Sequence, residues 1–254
     1  DGLPWGGEFL VCDLSAFQRV GSLEPVAPPG GDAAAKLPAH MSLAYLRQTY
    51  GIDRAIGMAR ELMPEEDPGL WATLDRMIER DVNSPLTTSA GRLFDAAAAL
   101  LGVCQENTYH AQAPTELEAL AWQASEEDGY YPAVVLPRPD LFLASGTAII
   151  RALVDDHASG TEPARCAARF HHALARLALE MCRQIRENTT IVTVALSGGV
   201  FANAFLTSRL VSLLEQDGFS VLLNRKVPSG DGGIALGQAA IAAWLRSHAK
   251  LSLF

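Results

Sequence analysis

The chain lacks paired cysteines. Cys12, Cys104, Cys166 and Cys182 are scattered, with no CxxC spacing among them. That excludes a disulfide scaffold and a cysteine zinc ribbon, and reads as reduced, buried thiols in a cytoplasmic protein. The chain also lacks a basic stretch. Its formal net charge is −9, which argues against nonspecific nucleic-acid binding. No apolar run approaches the roughly 20 residues that span a bilayer, and no secretory leader is evident. No internal repeat, low-complexity tract or charge block is present. There is no His-x-x-x-His, and the hydroxyls and histidines form no ordered Ser/His/Asp set. An initiator Met is missing too. The chain opens on Asp1-Gly2-Leu3-Pro4-Trp5-Gly6-Gly7-Glu8, which reads as the interior of a longer polypeptide whose upstream part holds half of the site.

What is present is apolar content and glycine. Hydrophobic residues make up 49% of the chain, enough for a core. Two apolar segments each run into a glycine turn and then a helical pattern. Ile191–Leu196 leads into Ser197-Gly198-Gly199-Val200-Phe201-Ala202-Asn203 and a helix to about Gln216. Phe219–Leu223 leads into Ser229-Gly230-Asp231-Gly232-Gly233 and a helix from Ile234 to about Arg246. A right-handed crossover makes the two strands parallel neighbours. Both loops then emerge at one carboxyl edge, where ligands of open α/β sheets bind. Gly198, Gly199, Asn203 and Asp231 are expected to share a small space there.

Upstream, Glu8–Asp13 and Phe17–Val20 read as a strand pair after the Gly6-Gly7 turn. Residues 33–63 read as helical with a break at Gly51, and Leu70–Arg80 as a further helix. The stretch Leu93, Phe94, Ala97, Leu100 and Leu101 shares one helical face and ends at Gly102. Thr115–Trp122 reads as helical, Thr115 to Glu118 resembling a capping box. Tyr130–Phe142, interrupted by prolines, reads as irregular or extended. Leu143–Val154 and Pro163–Ile185 read as helices. Three regions result: strands in 1–32, a mostly helical middle in 33–190, and an α/β unit in 191–254.

The glycine turns suit phosphate because backbone N–H groups approach closely and a helix N-terminus adds positive partial charge. Neither is a P-loop or a dinucleotide fingerprint, and Ser197-Gly198-Gly199 also suits a tight turn without ligand. Asn203 suits a ribose or base edge, or a solvated helix position. Asp231 suits a divalent cation, or a helix N-cap. Asp95 interrupts an alanine-rich helix; it borders a cleft, or is an exposed surface aspartate. Glu116 and Glu118 do not share a helical face. His171 and His172 point apart and make poor joint ligands.

Seven segments together resemble the HypF carbamoyltransferase family of NiFe-hydrogenase maturation. They are Asp1–Phe9, Pro29–Asp32, Met41–Leu46, Ser84–Asp95, Ala113–Ala121, Ala195–Asn203 and Val227–Gln238. The similarity runs nearly end to end. Some of the motifs also occur in the related tRNA threonylcarbamoyl-adenosine synthases. The resemblance implies an α/β actin/sugar-kinase/Hsp70-like fold, helix-rich, with ATP between two lobes. It implies transfer of carbamoyl from a carbamoyl-adenylate, made from carbamoyl phosphate and ATP, to the C-terminal cysteine of HypE. By motif, Gly6 and Gly7 face phosphates from the first lobe and Asp95 meets the ribose. Gly198, Gly199 and Asn203 hold the nucleotide, and Asp231 is the last ligand of a divalent metal (Mg, Fe or Zn) whose two histidine ligands lie upstream. The acylphosphatase-like, zinc-finger and YrdC-like parts are absent here, and Ala111 stands where the family usually has glycine. No catalytic side chain is assigned, since the partner supplies the thiolate. Other readings are an O-carbamoyltransferase for a small molecule, a noncatalytic nucleotide-binding docking module, and a sugar kinase, for which no sugar-binding pattern can be argued.

Overall fold

Proline and glycine set most element boundaries in the computed structural model, which describes residues 5–124 and 129–248. The opening residues 1–4 of the first motif lie outside the described residues. Strand β1 (Glu8–Cys12) pairs antiparallel with β2 (Phe17–Leu23). Asp13 closes the turn between them, its Oδ1 accepting from the N–H groups of Ser15 and Ala16 at 2.7 and 3.0 Å. A 3-10 turn at Gly31–Ala35 precedes α1 (Pro38–Tyr50), so the helix starts later than the pattern suggested, with Pro38 at its first position. Gly51, at φ 82°, separates α1 from α2 (Ile52–Leu62) as expected. Then follow α3 (Pro68–Glu79), capped by Asp67, and α4 (Ala90–Leu100).

Helix α5 spans Gln112–Ala121 and begins three residues before Thr115. The expected capping box is therefore not formed. Thr115 Oγ1 donates back to the Ala111 carbonyl at 2.8 Å, and Glu118 is used elsewhere. The stretch expected to be irregular or extended contains β3 (Val135–Pro137) and the first residue of β4 (Phe142–Ala144), two extended strands. Three prolines hid them from pattern reading. Parallel pairing with β2, Gly21 opposite Phe142, places them in one sheet of order β1-β2-β4-β3. The middle of the chain thus completes the sheet begun at the N-terminus. Helix α6 (Gly146–Ala158) starts later than Leu143 for the same reason, and α7 (Pro163–Thr189) follows. The last part is β5 (Thr193–Leu196), α8 (Ala204–Gln216), β6 (Ser220–Leu223) and α9 (Ile234–His248). β5 and β6 pair in parallel from Thr193–Ser220 to Leu196–Leu223, the arrangement expected from crossover handedness.

Helix α4 is buried from Leu93 to Leu100; apart from Asp95 that stretch is apolar on every side, which suits a core helix. Its alanines admit α1 closely, and Tyr45, Trp71, Phe94 and Phe170 fill the core around it. Asp217, after α8, is gripped by two arginines of α7. Arg183 Nη2 reaches Oδ1 and Arg186 Nη2 reaches Oδ2, each at 2.6 Å. These guanidinium bonds hold the Asp217 carboxyl below its ordinary range. On α6, Asp156 accepts from Tyr131 Oη, Arg169 Nη1 and Thr161 Oγ1 at 2.7–2.9 Å. By contrast, Ile234, Leu236, Ile241 and Leu245 of α9 are all exposed.

Ala111, the residue before α5, sits in the left-handed region at φ 60° and ψ 30°. An L side chain pays for that conformation, and glycine does not. Ala111→Gly is expected to raise stability by about 0.5–1 kcal/mol after its larger unfolded-state entropy is counted. Urea unfolding checks this; an unchanged or lowered midpoint would remove the strain argument.

Candidate functional site

The two glycine loops meet. The Gly198 N–H donates to the Ser229 carbonyl at 2.6 Å, and Ser197 Oγ donates to the same oxygen at 3.4 Å. A Cβ on Gly230 would lie 3.5 Å from Gly199 Cα. Gly198 adopts φ 110°, which favours glycine, yet a Cβ on Gly198 or Gly199 would meet nothing within 4 Å. The space above the first loop is therefore open. The N–H groups of Gly199 and Val200, and of Asp231 and Gly232, find no acceptor among the described residues. Unpaired amides beside open space make an anion cradle. Asp231 is exposed and starts a 3-10 turn, Asp231–Gly233, whose N-cap is Gly230. Among the described residues no group of three or more His, Cys, Asp or Glu is assembled for a metal, and Asp231 stands at this edge as a single exposed carboxylate.

Asn203 is neither solvated nor free. It is 8% exposed and is the N-cap of α8, its Oδ1 accepting from the Leu206 N–H at 2.8 Å. Its Nδ2 lies 3.0 Å from His171 Nε2, while His171 Nδ1 lies 2.7 Å from the Ala167 carbonyl. A carbonyl only accepts, so Nδ1 carries the proton and Nε2 accepts from the amide; the network assigns the tautomer. Burial of His171 lowers its pKa to about 4. Glu118, from α5, completes the α8 terminus. Its Oε1 accepts from the N–H groups of Ala204 and Phe205 at 2.7 and 3.1 Å. Sequence spacing showed nothing of this role, because the partners lie 86 and 87 residues away. His172 stacks on Phe205, whose ring also meets His171 edge-on.

Asp95 is fully buried, not an exposed surface aspartate. Arg92 Nη2 forms an ion pair with its Oδ2 at 2.7 Å, yet neither carboxylate oxygen has a hydrogen-bond partner among the described residues. Desolvation outweighs the attraction of Arg92 and the Asn107 amide, and raises the pKa of Asp95 to about 6. A buried carboxylate with unused acceptors is a functional-site signature. Gly6 and Gly7 pack at the start of α4. The Gly6 N–H donates to Thr88 Oγ1 at 3.0 Å, and a Cβ on Gly7 would lie 2.7 Å from the Thr88 carbonyl oxygen. Packing against α4 accounts for both glycines. The structure thus gathers Gly198, Gly199, Asn203 and Asp231 at one edge, and Gly6, Gly7 and Asp95 around α4. The cysteines are free; Cys104, Cys166 and Cys182 are buried as expected, but Cys12 is exposed on β1.

Comparison with known proteins follows the same lines. Residues 1–238 match the family described as carbamoyltransferase, Kae1-like domain, second subdomain. A "Carbamoyltransferase HypF homolog" of Cupriavidus necator is 38% identical over 249 residues, covering 96% of this chain and 62% of that protein. "Carbamoyltransferase HypF2" of the same organism is 35% identical, covering 95% of this chain and 32% of its own length. A crystal structure of full-length HypF in the phosphate- and nucleotide-bound form superposes with a TM-score of 0.88 at 35% identity, over 98% of this chain and 32% of that one. The chain thus spans about a third of the length of two of these relatives.

Proposed function

The chain belongs to the HypF carbamoyltransferase family, as its Kae1-like second subdomain, and from that premise we propose that it is the ATP- and metal-binding part of a carbamoyltransferase. The proposed reaction passes carbamoyl from carbamoyl-adenylate to the C-terminal cysteine thiol of HypE, in a cytoplasmic pathway of hydrogenase maturation. A thiolate would attack the carbamoyl carbon, forming a C–S bond as the bond to the phosphate oxygen breaks and AMP leaves. The fold is read as part of a two-lobed actin/sugar-kinase/Hsp70-like body. No helix among the described residues is long and apolar enough to cross a membrane.

One observation carries the nucleotide role: the unpaired amides of two touching glycine loops beside open space and the Asp231 carboxylate. Amides of Gly199, Val200, Asp231 and Gly232 would hold phosphate oxygens and stabilise charge on the leaving phosphate. Asp231 would ligate a divalent cation, which when bound supplies Lewis-acid stabilisation of phosphate charge. Asn203 would act by fixing the loop, since both ends of its amide are engaged. Asp95 would take the ribose hydroxyls, and Gly6 and Gly7 would face phosphates from the other side. The three buried thiols suit no nucleophilic role. Burial raises the pKa of Cys104 and Cys166, and that of Cys182 to about 11, so these remain protonated at neutral pH. A partner thiolate fits better.

ATP titrated calorimetrically, with and without a divalent cation, tests this. Gly199→Val fills the open space without a left-handed backbone to strain, and is expected to weaken ATP binding at least about ten-fold while leaving the unfolding midpoint in place. Asp231→Ala is expected to abolish the cation's contribution alone. Equal ATP affinity in all three proteins would overturn the nucleotide role.

A further inference from the structure

Resting on the nucleotide role proposed above, we infer that Glu118 is a positioning residue that sets the first glycine loop by holding the N-terminus of α8. Four observations converge. The Glu118 carboxylate bonds the amides of Ala204 and Phe205, and Asn203 bonds that of Leu206. The first turn of α8 is therefore satisfied entirely by protein groups, which closes its usual anion seat. The Asn203 N–H donates to the Val200 carbonyl, and Thr207 Oγ1 donates to the Phe201 carbonyl, so the loop is laced directly to the helix start. What then remains for an anion is the Gly199 and Val200 pair of N–H groups, one turn earlier.

The consequence is geometric. Glu118 stands on α5, whose first turn is tied to the Asn107 side chain through the Ala113 N–H at 2.8 Å. Through Glu118, α5 sets where α8 begins and hence where the open amides of the loop point. Asn203 and His171 fix the same terminus from α7. The carboxylate acts on the backbone of the helix, so its requirement is for an acceptor at that place. The charge also complements the positive end of α8.

Two variants separate position from charge: Glu118→Ala removes the acceptor, and Glu118→Gln keeps an acceptor oxygen without the charge. Amide hydrogen exchange at 203–206 and ATP affinity are measured in each. Glu118→Ala is expected to speed exchange at Ala204 and Phe205 and to weaken ATP binding, each by about ten-fold. Glu118→Gln is expected to restore most of both. Faster exchange with unchanged ATP affinity overturns the inference, as does Glu118→Gln binding as weakly as Glu118→Ala, which would make the charge itself the ligand. If the wild-type chain binds no ATP, the proposed function fails, and exchange alone decides: unchanged protection in Glu118→Ala overturns the inference. Should Glu118→Ala not fold, loss of exchange protection or affinity in Glu118→Gln overturns it, and wild-type values sustain it.

Discussion

Asp95→Asn is expected to remove a pH dependence of stability worth about 3 kcal/mol. Folding raises this carboxyl from 3.8 to about 6, so the native chain holds the proton more tightly than the unfolded chain does. Its contribution is fully present below the unfolded value and is lost as pH rises through the folded one. At pH 7 the buried carboxylate is a cost. The Asn variant is expected to be more stable there by about 1–2 kcal/mol, less than the full amount because its amide is also buried. Keeping a destabilising carboxylate inside α4 is what a binding group requires and a packing position does not. Urea unfolding at several pH values between 4 and 6.5 measures the slope. A slope equal to the wild-type one would remove Asp95 as its source.

His171→Phe is expected to lower stability by about 1–3 kcal/mol at pH 7 and to shift the acid slope the other way. The substitution strands Asn203 Nδ2, which is buried and has His171 as its acceptor. The amide cannot turn over to help, because Oδ1 is engaged by the Leu206 N–H. Folding lowers the His171 pKa from 6.5 to about 4. Its contribution is present above 6.5 and is lost as pH falls through that window, about 3 kcal/mol in all. Asp95 and His171 therefore oppose one another between about pH 4 and 6, and in the wild type their slopes largely cancel. Relative to wild type, the His171 variant should gain stability toward acid and the Asp95 variant should lose it. Other shifted groups, such as His40 with its lowered pKa, enter every curve alike, so differences between variants are the observable. Parallel curves for all three proteins would refute the assignment of both groups.

The neighbourhood of these groups shows what sequence could and could not reveal. The Ser197–Asn203 and Ser229–Gly233 loops were legible because a strand, a glycine turn and a helix each have a local signature, and crossover handedness then leaves one way to arrange them. The Gly51 break and the Gly102 stop were legible for similar local reasons. Strands β3 and β4 were legible only as an irregular or extended stretch, because each is three residues long in a proline-rich segment, and only pairing of β4 with β2 and of β3 with β4 makes them strands. Nor did spacing mark Asp95 as buried, since an aspartate between alanines reads the same on a surface as in a core.

By itself, then, the sequence determined the order of the helices, the parallel β5–β6 pair, the meeting of its two glycine loops and, through seven motifs together, the family. Only the tertiary structure decided which groups meet across the chain. Glu118 reaches α8 over 86 residues and His171 reaches Asn203 over 32. Arg183 and Arg186 close on Asp217, and Asp95 is sealed inside α4's surroundings. Helix and turn formation depend on neighbours within a few residues, so composition records them. Burial, capping from another helix and the pKa shifts that follow depend on which distant surfaces pack together, and no local pattern carries that information.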